Sequence, residues 1–156
     1  MRHGEAESRA QSPDKTDENR RLTDQGSKNI RNVSEFAKKL GTEPNLFISS
    51  PLTRAKQSAE IAKEILNTGA ELRTENCLEP EGETTDVYET LAKLNDIESV
   101  MLVSHLPLVE LLVRDLLGWQ NERKNLVLSP SALIRMDSKT KPGSASGDLI
   151  WMLPQI

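Results

Sequence analysis

The sequence holds a single cysteine, Cys77, so no disulfide can close within the chain and no multi-cysteine metal site can be built. Set in an apolar-edged segment, Cys77 reads as a small core filler rather than a reactive thiol. No apolar run is long enough to span a bilayer and no signal peptide is recognisable, which makes the cytoplasm the expected compartment. The formal net charge is -4, leaving no basic footprint for nucleic acid or for an anionic membrane, and neither is expected as a partner. Twenty Lys and Arg are nevertheless present, enough for a local cationic pocket inside an acidic protein. With 156 residues, 36% hydrophobic and 28% charged, the composition is that of an ordinary globular protein, and residues 1–156 are expected to form one domain with a sizeable core.

What is present alternates between two periodicities. Residues 7–21 are polar, contain Pro13 and lack apolar spacing, so they read as a long loop, and loops of about a dozen residues tend to carry function. Thr23 suits an N-cap and Asp24 the positive end of a helix, after which Ile30, Val33, Ala37 and Leu40 fall at helical spacing until Gly41. A buried strand is predicted at 46–50, stopped by Pro51, and a helix from Thr53 to about Leu66 on the face of Ala55, Ala59, Ala62 and Leu66. Arg54 lies in the first turn of that helix, where a cation opposes the helix dipole unless an anion sits nearby. A strand follows at 71–78, then a polar turn and a helix from Thr84 to about Leu94. The strongest strand is Val100 to Val103. Pro107 fits the start of the next helix, with Leu108, Leu111, Leu112 and Leu116 predicted on its inner face before Gly118. Residues 132–136 and 149–153 are predicted to pair antiparallel across the Ser/Gly-rich segment 138–147. Strand, turn and helix recur, which argues an α/β fold with a mostly parallel central sheet.

In open α/β sheets ligands collect at the carboxyl ends of strands. Only two histidines occur, His3 and His105, and both stand at such ends, as does the Ser49-Ser50-Pro51 turn with Arg54. A neutral imidazole can act as a nucleophile towards phosphorus, Arg2 beside it offers a planar fork of donors for phosphoryl oxygens, and Gly4 lets the backbone pass close to a ligand or take a positive φ. A metal site on the two histidines is the competing reading. It lacks a clear third ligand, and neighbouring arginines would repel a cation.

Four separated segments carry a resemblance: Arg2-His3-Gly4-Glu5-Ala6; Arg20-Arg21-Leu22-Thr23 with Gly26; Ser49-Ser50-Pro51-Leu52-Thr53-Arg54-Ala55 with Gln57; and Val103-Ser104-His105-Leu106-Pro107. Together they resemble the histidine phosphatase superfamily, and the Leu78-Glu79-Pro80-Glu81-Gly82 turn with Ser-His-Leu-Pro-Leu is most similar to its SixA-type phosphohistidine phosphatases. The resemblance implies a three-layer α/β/α domain of the phosphoglycerate mutase-like fold. Its first strand is expected to be truncated, because only Met1 precedes Arg-His-Gly. It further implies a metal-independent protein phosphatase with no cofactor. His3 would be the nucleophile that becomes phosphorylated, Arg2, Arg54 and His105 would form the phosphate pocket, and Gly4 and Arg20 would bind substrate. Glu79 and Glu81 are the candidates for a general acid, although both also read as solvated turn residues. The implied partner is a phosphohistidine-containing protein. A phosphatase of small phosphorylated metabolites and a catalytically silent phospho-binding module are the alternatives, and binding without turnover would mark the second.

Overall fold

The computed structural model describes residues 1–119, 126–138 and 147–155. Among them the elements run α1 (Asp24–Lys39), β1 (Leu46–Ser49), α2 (Thr53–Leu66), β2 (Glu71–Thr74), α3 (Thr84–Ala92), β3 (Val100–Val103), α4 (Leu108–Leu116), β4 (Leu133–Ser138) and β5 (Gly147–Leu153). The fold is α/β: a parallel sheet in the order β2-β1-β3 flanked by helices, with β4 and β5 as a separate antiparallel pair. β1 lies between two partners, and all four of its side chains are buried, which is why it reads as an unbroken apolar run. Successive side chains of β1 and β3 feed opposite faces. Phe47, Met101 and Val103 join α1 and α2 through Ile30, Val33, Ala37, Ala55, Ala59 and Ala62. Leu46 and Ile48 join Leu78, Val87 of α3, and Leu108 and Leu112 of α4. The small alanines of α2 let it lie close to the sheet and to α1.

Local chemistry sets the boundaries. The Thr23 hydroxyl accepts the Gly26 N–H at 2.9 Å as the N-cap of α1, Lys38 and Lys39 occupy its last turn, and Gly41 beyond it takes φ +72°. The strand expected over 71–78 ends at Thr74, and residues 76–78 form a 3-10 turn instead. β1 itself ends at Ser49, whose carbonyl takes the Glu75 N–H (2.9 Å), so the ladder has no further partner to run along. β2 is the edge of the sheet, exposed, with Arg73 and Glu71 paired at 2.8 Å. On α4 the inner face is Leu108, Val109, Leu112 and Val113, whereas Leu111, expected inside, is 43% exposed. Leu108 and Leu112 face inward as expected, and Val109 and Val113 widen that face on the side away from Leu111. β4 and β5 pair antiparallel as expected, with an irregularity at Arg135/Met136, and the expected connection between them falls mostly on residues 139–146, outside the described residues.

Residues 1–3 run beside the carboxyl end of β3, with a parallel bridge from Arg2 to Ser104. The Met1 amine donates to Leu102 O (2.7 Å), Ser104 N to Met1 O (3.1 Å) and His3 N to Ser104 O (3.0 Å). On the other side Arg2 N donates to Ala132 O (2.9 Å) and Ser131 N to His3 O (3.0 Å). The backbone of His3 is thus held from both flanks by the ends of other elements.

Candidate active site

Three strand-end segments converge. β3 delivers Ser104 and His105, β1 delivers Ser50 and then Arg54 in the first turn of α2, and residues 1–3 place Arg2 and His3 between β3 and the 131–132 segment. The His3 and His105 ring centroids are 4.8 Å apart. His105 is 2% exposed, Arg54 4% and Ser50 fully buried.

The hydrogen bonds of the two rings define their chemistry. His3 Nδ1 lies 2.6 Å from Gly4 O. A carbonyl can only accept, so Nδ1 carries the proton and Nε2 keeps its lone pair. Burial, joined by the charges of Arg54, Arg2 and Arg20, lowers the His3 pKa from 6.5 to about 4 despite the Gly4 bond, which acts in the opposite direction. His3 is therefore a neutral base across the physiological range. His105 is lowered to about 3 by burial, by His3 and by Arg54 and Arg2, while Asp17 opposes the shift. Its Nε2 meets Ser50 Oγ at 2.9 Å, and its Nδ1 is buried without a partner.

The arginines surround these rings with donors only partly satisfied by protein. Arg2 gives Nη1 to Leu128 O and leaves Nε buried and unpartnered. Arg54 donates from Nη1 to the Asp17 carbonyl (2.8 Å) and from Nη2 to Asp17 Oδ2 (2.9 Å), again leaving Nε buried and unpartnered. Arg20 donates Nε to Glu7 O and Nη1 to Asp17 Oδ1 (2.9 Å). One carboxylate thus binds both guanidiniums, and Arg20 and Arg54 in turn hold the Asp17 acid below its usual range. Asp17 is the anion that Arg54 required at the start of α2. The sequence reading did not single it out, although the dipole mismatch at Arg54 called for such a group. The 17–19 segment is fastened to the same helix start by Thr53 N to Glu18 O (3.0 Å), so this stretch of the long loop is docked against the pocket.

Gly4 and Gly26 explain how the His3 segment meets α1. A Cβ on Gly26 would lie 2.1 Å from Glu5 O, and one on Gly4 would lie 2.9 Å from Gly26 O. Gly4 is not in the positive-φ region; its N–H goes to Ser58 Oγ (3.1 Å) and its carbonyl orients His3, so its close approach is to protein. Glu79 is half-buried and Glu81 exposed in the turn after Leu78, whose carbonyl accepts the Ser104 hydroxyl at 2.6 Å. The turn is thereby anchored one residue from His105, while the carboxylate that acts on His105 is Asp17. Among the described residues no three His, Cys, Asp or Glu side chains are grouped to hold a metal ion, and no helix is long and apolar enough to cross a membrane.

Comparison with known proteins gives the arrangement a family. Residues 1–80 match the sequence profile of the histidine phosphatase superfamily (branch 1). The chain is 35% identical over 134 residues to the phosphohistidine phosphatase SixA homolog of Haemophilus influenzae, covering 78% of this chain and 77% of that protein. It is 34% identical over 118 residues to phosphohistidine phosphatase SixA of Escherichia coli K12, covering 74% and 71%. A solved structure of the protein histidine phosphatase SixA complexed with tungstate superposes with a TM-score of 0.83 at 27% identity, over 99% of this chain and 94% of that one. The chain belongs to the histidine phosphatase superfamily, branch 1, and is homologous to its SixA phosphohistidine phosphatases.

Proposed function

We propose that this protein removes phosphate from phosphohistidine on proteins, through a phosphorylated His3. The observation that carries the reading is a neutral imidazole, with Nδ1–H committed to Gly4 O and Nε2 free, beside buried nitrogens that protein does not satisfy: Arg2 Nε, Arg54 Nε and His105 Nδ1. Unpartnered buried polar groups are costly, so a pocket that keeps three of them suits an anionic guest. The SixA relatives supply the substrate class by their names.

In the first half-reaction His3 Nε2 gives its lone pair to phosphorus. The bond from phosphorus to the substrate's imidazole nitrogen breaks, and that nitrogen leaves with the electron pair and takes a proton. Arg2, Arg54 and His105 hold the equatorial oxygens, and Arg20 adds charge from the loop side. Glu79 and Glu81 are the candidates to supply the proton, a modest task because an imidazole is a better leaving group than an alkoxide. In the second half-reaction water attacks phosphorus, the bond to Nε2 breaks, and inorganic phosphate departs. The hydrogen bond from Nδ1 to Gly4 O persists throughout, so the ring does not need to reorient between the two steps.

The test is phosphate release from a phosphohistidine-bearing protein and from an aryl phosphate, without added metal, together with the mass of the intact enzyme quenched during turnover. Release from the phosphoprotein with a phosphoryl mass increment on His3 is the expected result. Turnover of the aryl phosphate alone would point to small phosphorylated metabolites. Binding of phosphate without release from either would leave only a phospho-binding module.

A further inference from the structure

The contact between His105 Nε2 and Ser50 Oγ could run in either direction, and the surroundings decide it. Ser50 Oγ already faces a donor, the Leu52 N–H at 3.3 Å, and it is fully buried. An amide N–H cannot accept. If His105 Nε2 also donated to this oxygen, the hydroxyl proton would be left without an acceptor in a closed site, and His105 Nδ1 would be a bare lone pair, buried and unpartnered. That lone pair would share a pocket with Arg2 Nε and Arg54 Nε, both equally unpartnered and suited only to an anion. An anion's oxygens would be repelled by it. In the opposite arrangement every group finds a role: Leu52 N–H donates to Ser50 Oγ, the Ser50 hydroxyl donates to His105 Nε2, and Nδ1–H is the donor left for the anion.

We infer that Ser50 is a positioning residue for the phosphatase reaction: its hydroxyl fixes His105 in the Nδ1–H tautomer, so that a neutral ring donates to a phosphoryl oxygen. The inference rests on the proposed phosphatase reading only for its consequence on rate, since the tautomer and the binding of phosphate exist without turnover. It gives the two histidines the same tautomer by unlike means. His3 is set by a backbone carbonyl acting on Nδ1, which frees a lone pair; His105 is set by a hydroxyl acting on Nε2, which frees a donor. One ring can then attack phosphorus while the other binds the oxygens around it.

The decisive measurement is the nitrogen NMR of the histidine rings in the isotopically labelled full chain, with inorganic phosphate as probe. His105 is expected to show a protonated Nδ1 and a hydrogen-bonded, unprotonated Nε2, with the Nδ1–H signal moving on addition of phosphate. A protonated Nε2 in the native protein would overturn the inference, whatever any variant does. Ser50→Ala should then mix the two tautomers and weaken phosphate binding about tenfold, the usual scale for removing an orienting partner of a functional ring. Ser50→Thr, which keeps the hydroxyl, should restore the native ring pattern. Because the effect passes through His105, Ser50→Ala should cost nothing further in a His105→Ala background. An equal loss in both backgrounds would mean that Ser50 only supports the fold, and would sink the proposal. A chain that binds phosphate through His105 Nδ1–H yet releases none from any substrate would fail the phosphatase reading and leave this one standing.

Discussion

The pocket has two walls of different construction. The inner wall, made of Arg2, His3, Ser50, Arg54 and His105, grows from the ends of strands and the start of a helix, and its Ser50, Arg54 and His105 are almost wholly buried. The outer wall, made of Glu7, Asp17 and Arg20, belongs to the long loop and is held by hydrogen bonds and ion pairs at a partly exposed surface. The inner wall is fixed by backbone ladders on both sides of His3, so its geometry comes with the fold. In the outer wall the carboxylate of Asp17 bridges Arg20 and Arg54, while Arg20 Nε to Glu7 O and Thr53 N to Glu18 O fasten the loop beside it. Precision at His3 thus comes from backbone bonds of the fold, and that of the Arg20 guanidinium from its contacts with Asp17 and Glu7.

That contrast orders the expected losses. His3→Ala should reduce turnover by about a thousandfold or more with little loss of phosphate affinity, since the arginines remain; a phosphoryl mass increment in that variant would remove the mechanism. Arg54→Ala should cost about a hundredfold in kcat/KM, seen in both KM and kcat, because Arg54 contributes to the inner wall and also holds Asp17 of the outer one. Asp17→Asn should lower kcat/KM by about tenfold, and Arg20→Ala by less. If Asp17→Asn proved as damaging as Arg54→Ala, the outer wall would be as essential as the inner, and the distinction would fail. Steady-state kinetics on the phosphoprotein substrate would measure all four.

Acid offers a subtler probe of the inner wall. His3 and His105 have pKa values lowered from 6.5 to about 4 and about 3 in the folded protein. Between those values and about pH 6.5 the unfolded chain binds protons that the folded one refuses, so stability held above pH 6.5 is lost as the pH falls through this window. Thermal unfolding should show that slope, and it should be shallower in His3→Ala. On the same grounds the acid limb of kcat/KM is expected near pH 4 rather than near 6.5.

The inner wall was largely legible in the sequence, because two histidines at strand ends and an arginine in a helix's first turn are uncommon residues in uncommon places. The outer wall was not. Asp17 sits in a loop rich in acids, between Asp14 and Glu18, and nothing local distinguishes it; only the dipole conflict at Arg54 pointed to an anion of unstated origin. Ser50 was visible as part of a Ser-Ser-Pro turn, but which serine meets His105 depends on the register of β1 against β3, a long-range fact. The carbonyls of Gly4, Glu7 and Leu128, which orient His3, Arg20 and Arg2, leave no mark on a sequence at all. The fold followed periodicity well, with α2 spanning the expected Thr53–Leu66, and departed from it where a partner strand ran out after Thr74 and at Leu111 of α4, whose expected place inside is taken by Val109 and Val113.

The sharing of Asp17 between Arg20 and Arg54 also bears on how strongly the pocket attracts an anion. With both imidazoles neutral, Asp17 and the neighbouring Glu18 offset part of the positive charge that Arg2, Arg20 and Arg54 bring. Without the Asp17 carboxylate that offset would be smaller and the pull on an anion stronger. One contact therefore both aims the two guanidiniums and tempers their attraction for an anion.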